Sequence, residues 1–311
     1  MNLSTSTSRS TSLPGIWPAL LTPLDAALNI DHARFAAHAC ALIAAGCGGV
    51  TPFGTTGEGP SFGVDERRAA IDALVEGGVP GERILVSTSC AALPETLALT
   101  KHALSVGAWG CLMLPPFFLK GVSDEGIVDA YRYVIDGAAD ARLRIMLYHI
   151  PQVAGVGLSH AVIQELKRLY PDTIVGIKDS QCERAHSIAL AEAFMATITV
   201  HVGNEPDLPE MGRRGSTGAV SGLANFMPRL VHRLVAQPDA PGTAQDLARV
   251  QQLLAILGGY ALMPALKGIM TILTGEAAWL RVRPPLVALT PERLAALERQ
   301  IRAFGIDTTN D

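Results

Sequence analysis

The chain predicts an α/β fold: a (β/α)8 TIM-type barrel carrying a C-terminal helical extension. Three observations lead there. Short apolar runs alternate with amphipathic stretches eight times between residues 13 and 236, as in βα units around a parallel sheet. Beyond residue 237 the β signal stops and helical patterns alone remain. Nothing resembling GxGxxG follows the first apolar run, which counts against the competing doubly wound open sheet. A single barrel of this kind runs to ~250 residues, so a chain of 311 residues, 49% of them hydrophobic, does not require a second large domain.

The elements follow in order. Residues 1–12 are Ser- and Thr-rich, polar and low in complexity, and are expected to form a disordered leader; without an apolar h-region they do not read as a secretory signal. Strands are predicted over 15–23, 48–54, 83–89, 109–115, 144–151, 173–179, 197–203 and 217–222. Between them, 31–45, 65–76, 94–106, 124–136, 159–170 and 183–194 carry helical periodicity, followed by a short helix over 207–213 and another over 228–235. Residues 13–236 then make the barrel. Residues 237–311 make a helical appendix with helices over 245–257, 261–273 and 291–304, joined by an extended stretch around Pro284 and Pro285. These last helices cannot form a core alone, so they are expected to pack on the barrel or on another subunit.

Composition excludes several roles. The net charge of −4, with basic residues scattered or merely paired, gives no electrostatic reason to expect nucleic acid. No apolar run reaches the ~18 residues of a membrane span. The five cysteines, Cys40, Cys47, Cys90, Cys111 and Cys182, are odd in number and lack CxxC spacing. They read as free thiols in a reducing cytoplasm, mostly buried, with a nucleophilic Cys182 as a lesser alternative. Among eight histidines no metal-ligand spacing occurs, so no metal and no separate cofactor is expected.

The candidate chemistry starts at Lys178, which ends the sixth predicted strand. Lysine is almost never fully buried without a partner, and one held in such a place tends to shed its proton and become a nucleophile. The alternative is a stem lining the strand while its head reaches solvent or pairs with Asp179. Tyr148 ends the neighbouring fifth strand and can donate a phenolic proton, or serve simply as an aromatic plug. After the second strand comes the run Gly54, Thr55, Thr56, Gly57, Glu58, whose glycines let backbone N–H groups bind a carboxylate or phosphate. Its hydroxyls can relay a proton; an ordinary Gly/Thr turn is the other reading. Together these residues suit attack of Lys178 on a ketone, protonation of the carbinolamine by Tyr148, relay through the hydroxyls of Thr55 and Thr56, and anchoring of a 2-oxo acid carboxylate by the backbone of Gly54, Thr55 and Thr56.

Gly54 to Glu58, Tyr148-His-Ile-Pro151 and Gly176-Ile-Lys-Asp-Ser180, in this order and spacing, resemble the dihydrodipicolinate synthase / N-acetylneuraminate lyase family of class I, Schiff-base-forming enzymes. The resemblance spans nearly the whole barrel and extends to Gly218-Ala-Val-Ser-Gly-Leu-Ala-Asn225 and Pro264-Ala-Leu-Lys267. It implies a Schiff-base lysine at Lys178, a proton-transferring Tyr148, and relay and carboxylate-binding roles for Thr55 and Thr56. It also implies a homotetramer built as a dimer of dimers, with the C-terminal helices near the subunit contacts.

Departures from the family pattern bear on substrate. Val153 stands where authentic dihydrodipicolinate synthases carry an arginine that binds the aldehyde substrate's carboxylate. Phe118 stands where they contribute a tyrosine to a neighbouring subunit. Sialate lyases carry an acidic pair after a glycine at the seventh strand; here Gly203 is followed by Asn204, Glu205 and Pro206, so one carboxylate remains. Gly203, Glu205, Val220, Ser221 and Val153 are therefore the expected substrate-binding positions. The expected function is a Schiff-base lyase acting on a small 2-oxo acid, an aldolase of pyruvate type or a dehydratase of a 2-keto-3-deoxy sugar acid. Dihydrodipicolinate synthase proper, a non-catalytic binder of 2-oxo acids and a metal-dependent aldolase are the alternatives.

Overall fold

The computed structural model describes residues 13–311; the leader expected over 1–12 lies outside the described residues. The strands are β1 (Gly15–Pro18), β2 (Leu85–Ser87), β3 (Gly110–Met113), β4 (Ile145–His149), β5 (Ile174–Asp179), β6 (Thr199–Val202) and β7 (Gly218–Ser221). β2 to β6 pair in parallel in chain order, and β1 pairs in parallel with β7. Single bridges from Ala19 to Thr51 and from Val50 to Ile84 insert residues 50–51 between β1 and β2. Where β6 meets β7, the Ser216 hydroxyl donates to Val200 O at 2.8 Å. The barrel is present.

Its second strand is shorter than expected. Of residues 48–54 only Val50 and Thr51 make bridges. A side chain at Gly49 would lie 2.2 Å from the Trp17 ring, so the backbone here approaches an indole too closely for ordinary strand residues. Phe53 then takes φ 62°, which turns the chain out of the sheet. The first strand also ends early. Past Ala19 its backbone is held by Asn225, whose Oδ1 accepts Leu21 N–H at 3.1 Å and whose Nδ2 donates to Ala19 O at 2.9 Å.

Around the sheet run α1 (His32–Ala44), α2 (Val64–Glu76), α3 (Leu93–Ser105), α4 (Asp124–Ala138), α5 (Pro151–Ala154), α6 (His160–Leu169), α7 (Arg184–Phe194), α8 (Leu208–Arg213) and α9 (Pro228–Ala236). Side-chain oxygens of Asp31, Ser123 and Ser159 cap α1, α4 and α6, so the sequence signals coincide with helix starts. α5 is one extra turn immediately after β4, where a strand ending at 151 was expected.

Strand alternation divides the apolar residues into two cores. Ile84, Val86, Ile177, Val200 and Val202 face outward against Phe35, Ile71, Leu166, Leu190 and Leu230 of the helices. Trp17, Leu85, Leu112, Met146, Tyr148 and Val220 fill the barrel itself. Tyr148 pairs in register with Lys178, and Lys178 with His201. Asp179 points the other way, accepting the Ser187 hydroxyl at 2.6 Å on α7. An Asp179–Lys178 pair is thereby replaced by two residues on opposite faces of one strand.

The extension consists of α10 (Thr243–Leu257), α11 (Leu262–Thr274) and α12 (Pro291–Phe304). It is sewn to the barrel's upper loops. Arg281 Nη1 donates to Leu24 O at 3.0 Å, and Arg283 donates to Leu28 O and Ser61 O at 2.8 and 2.9 Å. Among the described residues no single helix is long and apolar enough to cross a membrane.

Candidate active site

Lys178 sits at the C-terminal end of β5, 5% exposed, with its amine 4.4 Å from the centre of the Tyr148 ring. The Tyr148 hydroxyl lies 3.1 Å from Thr55 Oγ1. Three segments separated widely in sequence thus meet at one barrel mouth, as the strand order requires.

The turn carrying Thr55 is built by close approach. Side chains at Gly57 and Gly59 would meet Leu20 O at 2.6 Å and Phe53 O at 2.0 Å, so only glycine lets the chain fold back there. Glu58 N–H and Gly59 N–H return to Thr55 O and Gly54 O, and the Thr22 hydroxyl donates to Gly57 O at 2.8 Å. Between these glycines Glu58 adopts φ 56° and directs its carboxylate to Lys267 of α11. Both side chains are fully buried, and Lys267 also donates to Arg281 O at 2.7 Å. Burial lowers the Lys267 amine below the usual lysine range, and the Glu58 carboxylate opposes that. The helical extension therefore holds the threonine turn through a buried ion pair. Lys267 carried only a family likeness in the sequence, because its partner lies more than two hundred positions away.

A cavity of 330 Å³ opens beside Thr55 and Tyr148, walled by Phe53, Phe117, Val153 and Met263 among others. Val153, 61% exposed, lies on its rim. A larger space of 650 Å³ lies at the opposite ends of the strands, around Trp109 and Arg144, and contains none of the expected site residues.

The remaining expected positions fall on the other side of the lysine. A side chain at Gly203 would stand 2.4 Å from Ser180 Oγ and 3.0 Å from Lys178 Cε, so this glycine makes room for the lysine stem. Glu205 is buried, and burial raises its carboxyl above the usual range. It accepts the Ser221 hydroxyl at 2.6 Å and Leu223 N–H at 3.3 Å, and the Lys178 charge opposes the rise. Asn204 donates to Asp207 at 2.6 Å rather than facing the mouth unpaired. Val220 is fully buried in the barrel interior, opposite Trp17 in β1. It packs beneath the site and is not among the residues of the cavity wall. Thr56 Oγ1 would lie 3.3 Å from a side chain at Gly222, next to Ser221.

The structure corrects two readings. No metal-like cluster was expected at the strand ends, yet His149, Asp179 and His186 bring candidate ligand atoms within 4.8 Å of one another. Their atoms are already engaged: His149 Nδ1 accepts Leu158 N–H at 2.9 Å, and its Nε2 meets Gln181 Oε1 at 2.6 Å. Asp179 Oδ2 meets both Ser187 and His186. Burial lowers His149 below the usual histidine range, which suits a neutral ring tying the loops after β4 and β5 together. The second correction concerns the thiols. Only Cys47 and Cys111 are buried, each pushed by burial to about 12, while Cys182 is exposed and turned to φ 63°. Burial of its sulfur, with Glu205 and Asp179 nearby, still raises the Cys182 thiol, which disfavours a thiolate nucleophile.

Residues 12–304 match the Dihydrodipicolinate synthetase family. The chain belongs to that family, a family of lyases. An uncharacterized DapA-like lyase of Chloroflexus aurantiacus is 31% identical over 95% of this chain and 98% of the relative. Dihydrodipicolinate synthase from Agrobacterium tumefaciens has a solved structure that superposes with a TM-score of 0.87 at 32% identity, covering 93% of this chain and 99% of that one. YagE, a prophage protein of the same family from E. coli K12 solved in complex with pyruvate, superposes at 0.86 with 25% identity over 94% and 99%. The family resemblance carried by the lysine, tyrosine and glycine–threonine motifs is thus borne out at the level of the family and its barrel.

Proposed function

We propose that the protein is a Schiff-base-forming lyase of small 2-oxo acids, acting as a pyruvate-type aldolase or as a dehydratase of a 2-keto-3-deoxy sugar acid. The observation that carries this reading is Lys178 at the end of β5, with Tyr148 beside it and Thr55 hydrogen-bonded to Tyr148.

The steps follow from these positions. The amine of Lys178 attacks the ketone carbon through its nitrogen lone pair and gives up a proton, and the carbonyl oxygen becomes the hydroxyl of a carbinolamine. Tyr148 gives this hydroxyl a proton as it leaves as water, and Thr55 passes a proton back to the phenolate. The iminium left on Lys178 withdraws electrons. In the aldolase direction, loss of the hydroxyl proton on the fourth carbon lets the bond to the third carbon break, and its electron pair enters an enamine. In the dehydratase direction, the third carbon loses a proton and hydroxide leaves from the fourth. In the aldolase direction the enamine is then protonated to an iminium; in the dehydratase direction departure of the hydroxide leaves an unsaturated iminium. In both, attack of water on the iminium releases the product and regenerates Lys178. The turn at Gly54 and Thr56 suits the substrate carboxylate, and no separate cofactor is needed because the covalent imine supplies the electron sink.

Val153 and Phe118 favour this reading over dihydrodipicolinate synthase proper. A valine on the cavity rim has no charge for an aldehyde's carboxylate. A lost charge-assisted contact costs on the order of 2 kcal/mol, or about thirtyfold in affinity. Glu205 keeps one polar group for a hydroxylated substrate, although Ser221 engages it in the free protein. We propose the partners accordingly: the 2-oxo acid, and further copies of the chain in a tetramer built as a dimer of dimers.

Turnover with a panel of 2-keto-3-deoxy sugar acids, scored by pyruvate release and by dehydrated product, tests the proposal. Activity on that panel should exceed condensation of pyruvate with aspartate semialdehyde. Efficient condensation with the semialdehyde, and none of the other reactions, would overturn the assignment.

A further inference from the structure

His201 is out of place. It lies in β6 with none of its surface exposed, inside a barrel otherwise filled with Trp17, Leu112, Met146 and Val220. Neither ring nitrogen has a hydrogen-bond partner. A neutral imidazole carries one N–H and one lone pair, and burying both unpaired is costly enough that folded proteins rarely do so without a use.

Its position suggests the use. In the β5–β6 ladder His201 is the register partner of Lys178, so the two side chains leave the sheet on the same face. Val200 and Val202, on either side of it, point outward into the helix-packed core. Gly203, two residues on along the same face, lies against the Lys178 stem, where a side chain would stand 3.0 Å from Lys178 Cε. Burial pushes the His201 ring down to about 3, which keeps its lone pair unprotonated at neutral pH.

We propose that His201 accepts the hydrogen bond of the Lys178 nitrogen in the covalent intermediate, stabilising the iminium N–H from the side of the barrel opposite the substrate. The proposal rests on the Schiff-base reading of Lys178. An iminium nitrogen keeps one N–H and a positive charge inside a poorly solvated barrel, and a preoriented neutral acceptor stabilises that charge without reorganising. The groups facing Lys178 are Tyr148 from β4, His201 from β6, Cys182 from the loop after β5 and Glu205 from the turn after β6. Glu205 is the competing acceptor: Ser221 and Leu223 both engage its Oε1, and the E205Q variant separates its remaining oxygen from His201.

The test is the rate of reductive trapping by borohydride with pyruvate, followed by intact mass from mildly acidic to mildly alkaline pH. Wild type is compared with H201L, H201F, H201Q and E205Q, alongside the melting temperature of each free protein. H201L and H201F should trap about tenfold more slowly, with a displaced pH profile. Neither should melt lower than wild type through a lost hydrogen bond, since His201 makes none. H201Q, whose amide keeps an acceptor, should recover most of the rate. Should one apolar variant fail to fold, the other decides. Trapping by the apolar variants within about twofold of wild type across the profile would overturn the proposal, as would a loss seen in E205Q but not in H201F. Absence of any adduct in wild type would overturn the Schiff-base reading itself, and this proposal with it.

Discussion

Tyr148 and Thr55, 93 residues apart in the chain, bring their hydroxyls within 3.1 Å at the mouth of the barrel. The bond joins the end of β4 to the glycine-lined turn after residues 50–51, and it gives the phenol a partner through which a proton can return. If the two act as one relay, Tyr148→Phe and Thr55→Val should each lower kcat by about a hundredfold or more. The double variant should be little worse than either single one, because residues acting as a unit are not additive. Steady-state kinetics of the four proteins checks this; fully multiplicative losses would separate the two roles.

Gly203 offers a geometric prediction. A methyl group there would press on Ser180 Oγ and Lys178 Cε, at 2.4 and 3.0 Å. Gly203→Ala should therefore keep the far-UV spectrum of the fold while lowering pyruvate adduct formation about tenfold or more, since misplacement of a reacting group by an ångström can cost a hundredfold. Adduct formation at the wild-type rate would show that the lysine stem has slack.

The Glu58–Lys267 pair, fully buried, makes stability and site geometry one question. Removing one partner leaves an uncompensated buried charge. Lys267→Met alone should lower unfolding free energy by about 3–5 kcal/mol. The Glu58→Gln and Lys267→Met double variant should recover much of that, while activity stays low because the threonine turn has lost its tether. Urea denaturation of wild type and the two variants, with kcat measured on each, reads both effects.

Acid should destabilise the protein through its buried imidazoles. Burial holds His38 at about 4 and His201 at about 3, against 6.5 for an imidazole in the unfolded chain. Both folded values are depressed, so the unfolded chain binds these protons first as pH falls. The stability they contribute is present above pH 6.5 and is lost progressively between there and about 4 for His38, about 3 for His201. For His38 the loss amounts to about 3 kcal/mol. Melting temperatures across that interval should fall less steeply for His38→Gln than for wild type. Parallel curves would assign the acid sensitivity elsewhere.

The helices, the strand order and the convergence of Lys178, Tyr148 and Thr55 were legible in the sequence because they depend on periodicity and on strand ends. The shortness of the second strand was not, since it results from the Trp17 ring meeting Gly49 across the sheet. The direction of Asp179 was readable in principle: neighbours in a strand face opposite sides, so Lys178 and Asp179 could not both face the barrel. The Glu58–Lys267 pair, the His149–Asp179–His186 group and the isolation of His201 depend on distant segments meeting. A bare histidine in an apolar run, such as His201 between Val200 and Val202, was the one local sign of the last. Val153 was expected at a substrate position from the sequence, and the structure places it on the rim of the cavity beside Thr55 and Tyr148.

Every step of the proposed reaction depends on Lys178 as the nucleophile. Incubation with pyruvate and borohydride, followed by intact mass and peptide mapping, tests it most directly. One reduced pyruvyl adduct per chain is expected, located on Lys178, unaffected by EDTA and absent from Lys178→Ala. An adduct mapped to another lysine, or no adduct with pyruvate or any larger 2-oxo acid, would contradict it.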